Sequence, residues 1–288
     1  MSIIIGSHSG PCYSICSGPD NNFLTSGSDK IVAFWDGLKC NPVNLSIKID
    51  SPAYALNYDE KQSILFIGSN SGNIHWIDLK EKKEIKNFTL HKKGVFDLKI
   101  IPENNLLIST GGDGTLGVWD IKNKKLIRNI PLSEAKLRRA DYKDSLLAVC
   151  CGDGFVRILE TENFNEIKTL QAHDKSANCA LFTQEGLITG GWDGQLMKWD
   201  NNYNLIKKIP AHNYAIYALT DITGSDFFAS ASRDKSIKIW NKKNLEIIDK
   251  LDYKKGGHHS SVNDLLFINK TLFSVGDDGK VIAWKFTF

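Results

Sequence analysis

One phrase recurs seven times along this chain, at a nearly constant interval, and that recurrence limits the fold more than any other feature of the sequence. Six of the seven copies carry an Asp followed by Gly or Lys after a small residue or pair, and six end their alternating apolar run on Trp, often with Asp. They read GSDKIVAFWD, SNSGNIHWID, GGDGTLGVWD, CGDGFVRILE, GWDGQLMKWD, SRDKSIKIWN and GDDGKVIAWK, the second being the one without the Asp. Read as anchors, Trp35, Trp76, Trp119, Trp199, Trp240 and Trp284 mark the copies, with Leu159 replacing Trp in the fourth. The intervals are 41, 43, 40, 40, 41 and 44 residues. A unit of that size cannot cover both of its own faces, so neighbouring units must stack.

The units read as strands. Leu24 and Ser26, then Ile31, Ala33 and Trp35, alternate with the period of two that puts successive side chains on opposite faces. Asp-Gly or Asp-Lys between two such runs is the chemistry of a tight hairpin turn. Each unit has room for about four short strands, and no long segment repeats at the helical spacing of 3.6.

Spacing, the Trp-Asp ending and the turn residues together resemble the WD-repeat (Trp-Asp repeat) β-propeller family over essentially the whole chain. The resemblance implies an all-β fold: a seven-bladed propeller with four antiparallel strands per blade. A single domain over 1–288 is expected, with blades near 8–49, 50–90, 91–131, 132–171, 172–210, 211–251 and 252–288. The last copy shows strands near 262–267, 271–275 and 281–286 and lacks an outer strand. Residues 2–6 have no place in the first blade, so they are expected to close the last one, removing two exposed strand edges.

In this family a His, a Ser or Thr, the turn Asp and the Trp form a hydrogen-bonded set within a blade. The matching residues here are His8, Thr25, Asp29 and Trp35; His91, Ser109, Asp113 and Trp119; His173, Thr189, Asp193 and Trp199; His212, Ser230, Asp234 and Trp240; and His258, Ser274, Asp278 and Trp284. The hydroxyl residue always stands ten before the Trp and the Asp six before it. Blades two and four depart together. The second lacks the His and is read with Phe66 at the hydroxyl position and Asn70 at the turn; the fourth lacks the His and carries Val149 and Leu159. Correlated loss is expected where a lone buried member would be left unsatisfied, and these blades should rely on apolar packing.

Other constellations have plainer readings. Five copies of a His–Ser–Asp set mean architecture, because an enzyme needs one site. The literal G-x-G-x-x-G of residues 112–117 runs into a strand, whereas a dinucleotide fingerprint opens a helix. His258 and His259 are neighbours that point apart on a strand, and neither completes a metal-ligand spacing. Adjacent Cys150 and Cys151 read as small core residues. The short apolar run after the first Met is no signal peptide, so thiols, a cytoplasmic location (the nucleus in a eukaryote) and no membrane contact are expected. A net charge of +3 gives no argument for nucleic acid, and the lysine clusters at 80–86, 122–125 and 254–255 read as solvated loops. No cofactor or metal is expected, and the chain should be a monomer outside its complex.

The resemblance also implies where a partner would sit. Two positions per blade face the top of the ring. The first ring is Tyr13, Tyr54, Phe96, Arg138, Asn178, Tyr217 and Asn263; the second is Ser28, Ser69, Gly112, Gly152, Trp192, Arg233 and Asp277. Aromatic residues and Arg are enriched at binding hot spots, which singles out Trp192, Arg233, Tyr217, Tyr13, Tyr54, Phe96 and Arg138. The expected function is a non-catalytic protein-interaction scaffold that binds a peptide-like segment at this top face. The alternatives are an enzyme at the channel mouth, with Asp97, Asp141 and Asp264 as its channel carboxylates, or an RNA- or chromatin-associated module.

Overall fold

The computed structural model describes residues 2–286; the expected domain span of 1–288 extends past them at both ends. The described residues form 28 strands in seven antiparallel four-stranded sheets, with two short 3-10 turns at Pro19–Asn21 and Tyr253–Lys255. The first sheet shows the pattern: Cys12–Ser17 innermost, then Asn22–Gly27, Ile31–Asp36 and Asn41–Lys48 outermost. The seventh is completed by the N-terminal strand Ser2–Ser7, which pairs with Lys280–Lys285 from Ser2 opposite Trp284 to Ser7 opposite Lys280. This is the closure expected of residues 2–6, one residue longer. Blade seven meets blade one through Ile5, Phe23, Trp35, Phe273, Val275 and Val281, so the ring is shut by packing as well as by pairing.

The core lies between blades rather than within them. Each of the seven apolar clusters joins two consecutive sheets, as where Ile108, Leu116 and Val118 meet Leu137, Leu147 and Val149. Alternation drives this, since each strand sends one set of side chains to the preceding blade and the other to the following one.

Five blades carry the full hydrogen-bonded set. In the first, Trp35 Nε1 donates to Thr25 Oγ1 at 2.7 Å, Thr25 Oγ1 meets His8 Nε2 at 2.7 Å, and His8 Nδ1 meets Asp29 Oδ2 at 2.8 Å. The corresponding Trp-to-hydroxyl distances are 3.0, 3.2, 2.8 and 2.9 Å for Trp119, Trp199, Trp240 and Trp284. Burial holds the imidazoles of His91 and His212 below the usual histidine pKa, outweighing their Asp partners, so both are neutral. Burial pushes Asp193 and Asp278 up, but hydrogen bonds from His173 and His258 prevail and hold both carboxyls below their usual range.

Blade two departs from the expected register by one residue. Its hairpin pairs Leu65 with Ile77 and Phe66 with Trp76, whereas blade three pairs Leu107 with Trp119 and Ile108 with Val118. The left-handed turn glycines, Gly72 and Gly114, give the same alignment. The anchor position is therefore Ile77 and not Trp76, the hydroxyl position is Ile67 and not Phe66, and the turn position is Ser71 and not Asn70. Ile49 stands where the His would be, its N–H bonded to Lys30 O as His8 N–H is to Gly279 O. Three isoleucines thus replace His, hydroxyl and Trp, and all three are buried in the cluster between blades one and two. A one-residue offset flips a strand side chain to the other face. Trp76 accordingly faces blade three, edge-on to Phe66 at 4.8 Å and 6.4 Å from Trp119. Blade four keeps its predicted register. Val149 and Leu159 are buried there, and Ser133 takes the place of the His, donating to Asp153 at 2.8 Å.

Candidate functional site: the top mouth of the channel

The seven inner strands surround a channel whose top opens into a depression of about 420 Å³. Its lining includes all seven first-ring residues: Tyr13, Tyr54, Phe96, Arg138, Asn178, Tyr217 and Asn263. Trp192 and Asp277 of the second ring join them, with Asn70, which the blade-two offset puts in the place expected of Ser69. Ser69 is instead buried and accepts the Asn73 N–H, shaping the hairpin.

The lining is ordered by ring contacts. Tyr13 and Tyr54 meet edge to face at 5.1 Å, Tyr54 stacks on Phe96 at 5.8 Å, and the Arg138 guanidinium lies 5.4 Å from the Phe96 ring centre. This arc runs unbroken across blades one to four. A second group stands on blades five and six, where Arg233 lies 5.8 Å from the Trp192 ring and 6.0 Å from that of Tyr214. Trp192 is 38% exposed and Tyr214 is exposed. Tyr214, two residues past the blade-six His, was not among the sequence candidates; no spacing rule marked it. Burial raises the Tyr217 and Tyr13 phenols above their usual pKa, so both remain protonated hydrogen-bond donors.

Below the mouth the channel is crossed. Arg139 of blade four reaches Asp264 of blade seven, Nη1 to Oδ1 at 2.6 Å, and bonds the Asn263 carbonyl at 3.3 Å. The three expected channel carboxylates do not share one level. Strand pairing puts Arg139, not Asp141, level with Asp97 and Asp264, while Asp141 stands level with Lys99. All three carboxylates are engaged. Asp97, Asp141 and Asp264 accept backbone N–H groups of the next blade from Ala140, Phe182 and Ile15, at 2.8, 2.8 and 3.1 Å. Lys99 also pairs with Asp141 at 2.8 Å. Burial pushes the Asp97 carboxyl up to about 6, against the pull of Arg139. These three carboxylates are thus staples between blades. Among the described residues, no group of three or more His, Cys, Asp or Glu is placed to hold a metal, and no helix is long and apolar enough to cross a membrane.

With this geometry in view, comparison with known proteins is direct. The family model described as nucleolar protein 10-like, N-terminal domain, matches residues 23–284, and that described as WD domain, G-beta repeat, matches residues 2–36. The chain belongs to the WD-repeat β-propellers, within the nucleolar protein 10-like N-terminal domain family. Its similar relatives include nuclear distribution protein nudF 1 of Talaromyces marneffei, 23% identical over 82% of this chain and 58% of that protein. Transcription factor unc-37 of Caenorhabditis elegans is 25% identical over 65% of the chain and 31% of its own length. Transducin-like enhancer protein 2 of Mus musculus is 24% identical over 65% and 25%. The WD-repeat chain therefore spans less than two thirds of the length of each of these relatives.

Proposed function

We propose that this propeller is a non-catalytic protein-interaction scaffold whose top mouth binds a peptide-like segment of a partner. The observation that carries the reading is convergence: seven residues from seven separate blades line one depression, and four of them are aromatic. Rigid aromatic rings on short strands offer contact area at low ordering cost, which is what a peptide site needs. Arg138 and Asp277 in the lining, with Arg233 beside Trp192, suit a segment with both charged and apolar side chains. The names of the family and of unc-37 favour a nuclear or nucleolar setting, the nucleus being the alternative to the cytoplasm that the sequence left open for a eukaryote.

The test is a pair of measurements on Trp192→Ala and Arg233→Ala. Truncating such an anchor costs about 2 kcal/mol of binding, roughly thirtyfold. Partner recovery should collapse while Tm stays within about 1–2 °C of wild type, because a projecting turn residue carries little core packing. Undiminished recovery from both variants would move the interface to another face. A lowered Tm would make Trp192 a packing residue.

A further inference from the structure

We infer that the segment bound at the mouth presents an anionic group, a carboxylate or a phosphate, to Arg138. This rests on the reading of the top face as the binding site and names the chemistry it selects. Arg138 is half-buried and, among the described residues, makes no ion pair and has no hydrogen-bond partner for its Nε. Asp264 is committed to Arg139, and Asp277, which accepts the Asn263 amide at 2.8 Å, makes no ion pair with Arg138. Its charged surroundings add to the imbalance. Arg139 is the next residue, and Lys136 is held below the usual lysine range by burial and by Arg138 itself. Arg233, on blade six, lies over the rings of Trp192 and Tyr214.

A guanidinium removed from water without a counter-ion is costly, and proteins retain one where something else supplies the charge. Phe96 compensates in part by offering its ring to the cation. Contact with a ring leaves the in-plane N–H donors free, and those donors form the fork that grips a carboxylate or phosphate in two bonds. A second unpaired atom says that the anion arrives on a chain. Asn178, also in the lining, donates its amide to Ile216 O at 2.9 Å, and its Oδ1, buried, has no donor. A backbone N–H beside an acidic or phosphorylated side chain meets both needs.

The experiment uses the whole chain and no partner. Thermal unfolding is followed in phosphate, acetate and chloride at matched ionic strength, for wild type, Arg138→Met and Arg138→Lys. Phosphate or acetate should raise the wild-type Tm above its value in chloride, and Arg138→Met should lose that rise while Arg138→Lys keeps part of it. Without added anion, Arg138→Met should melt about 2–4 °C above wild type, because it removes an unpaired, half-buried charge. A rise with phosphate alone assigns a phosphorylated segment; a rise with both anions assigns a carboxylate. The same anion response in wild type and Arg138→Met would be an adventitious effect of the salts and would overturn the inference. If Arg138→Met does not fold, wild type against Arg138→Gln decides by the same comparison. Should Trp192→Ala lose partners while the anion response is absent, the top face binds but not through Arg138. An anion response with partners retained on Trp192→Ala would keep the anion site and reject the peptide platform.

Discussion

At the scale of single residues, the hydrogen-bonded set shows why a repeat loses its His, hydroxyl and Trp together, and why a turn Asp that stays, as Asp153 does in blade four, takes a new partner in Ser133. The hydroxyl of Thr189 accepts from Trp199 and meets His173, which in turn meets Asp193, so removing any one leaves a buried group unsatisfied. Asp193→Ala should therefore cost about 1–3 kcal/mol. Asn70→Ala should cost close to nothing, because Asn70 is exposed and its hairpin is shaped by Ser69. Urea unfolding of the two variants compares them directly, and equal losses would refute the one-residue offset in blade two. Where the set is gone, Ile49, Ile67 and Ile77 fill the same space with groups that need no partner.

Among elements, the N-terminal strand does what no other strand here does: it joins the two ends of the chain in one sheet. Ser2–Ser7 covers the edge of Lys280–Lys285, and Gly6 lies so close to Trp35 that a Cβ there would fall 2.3 Å from the indole. Deleting residues 1–6 should lower Tm by several degrees and expose the edge of the last blade to pairing with another molecule. Calorimetry and size-exclusion chromatography would read both effects. An unchanged Tm with a monomeric profile would mean that packing between blades seven and one suffices without the strand.

For the whole molecule, the Arg139–Asp264 pair is the counterpart of that latch, a tie across the channel between blades three apart, as far as a seven-membered ring allows. Asp264 is buried and also holds Ile15 N–H. Arg139→Met should cost about 3–5 kcal/mol by stranding the Asp264 carboxylate, and adding Asp264→Asn should recover much of the loss. Chemical denaturation of the two singles and the double gives the coupling directly; additive losses would show that the two residues act separately.

Sequence alone determined the number of blades and their strand content, because spacing and alternation are local properties that every copy repeats; the ring of residues around the mouth followed from the resemblance to the WD-repeat family applied to each copy. Repetition also averaged out ambiguity: Arg138 in blade four could be placed by its neighbours although its own His is missing. The offset in blade two escaped, since SNSGNIHWID offers a Trp at nearly the right distance, and a single strand cannot tell which face a residue takes until its hairpin partner is known. The roles of Arg139 and of the channel carboxylates escaped for a different reason. Whether a charge is a free catalytic group, a staple or an unpaired anchor depends on what stands opposite it. In a closed ring that neighbour lies far off in the chain, 125 residues from Asp264 for Arg139 and 249 for Ile15.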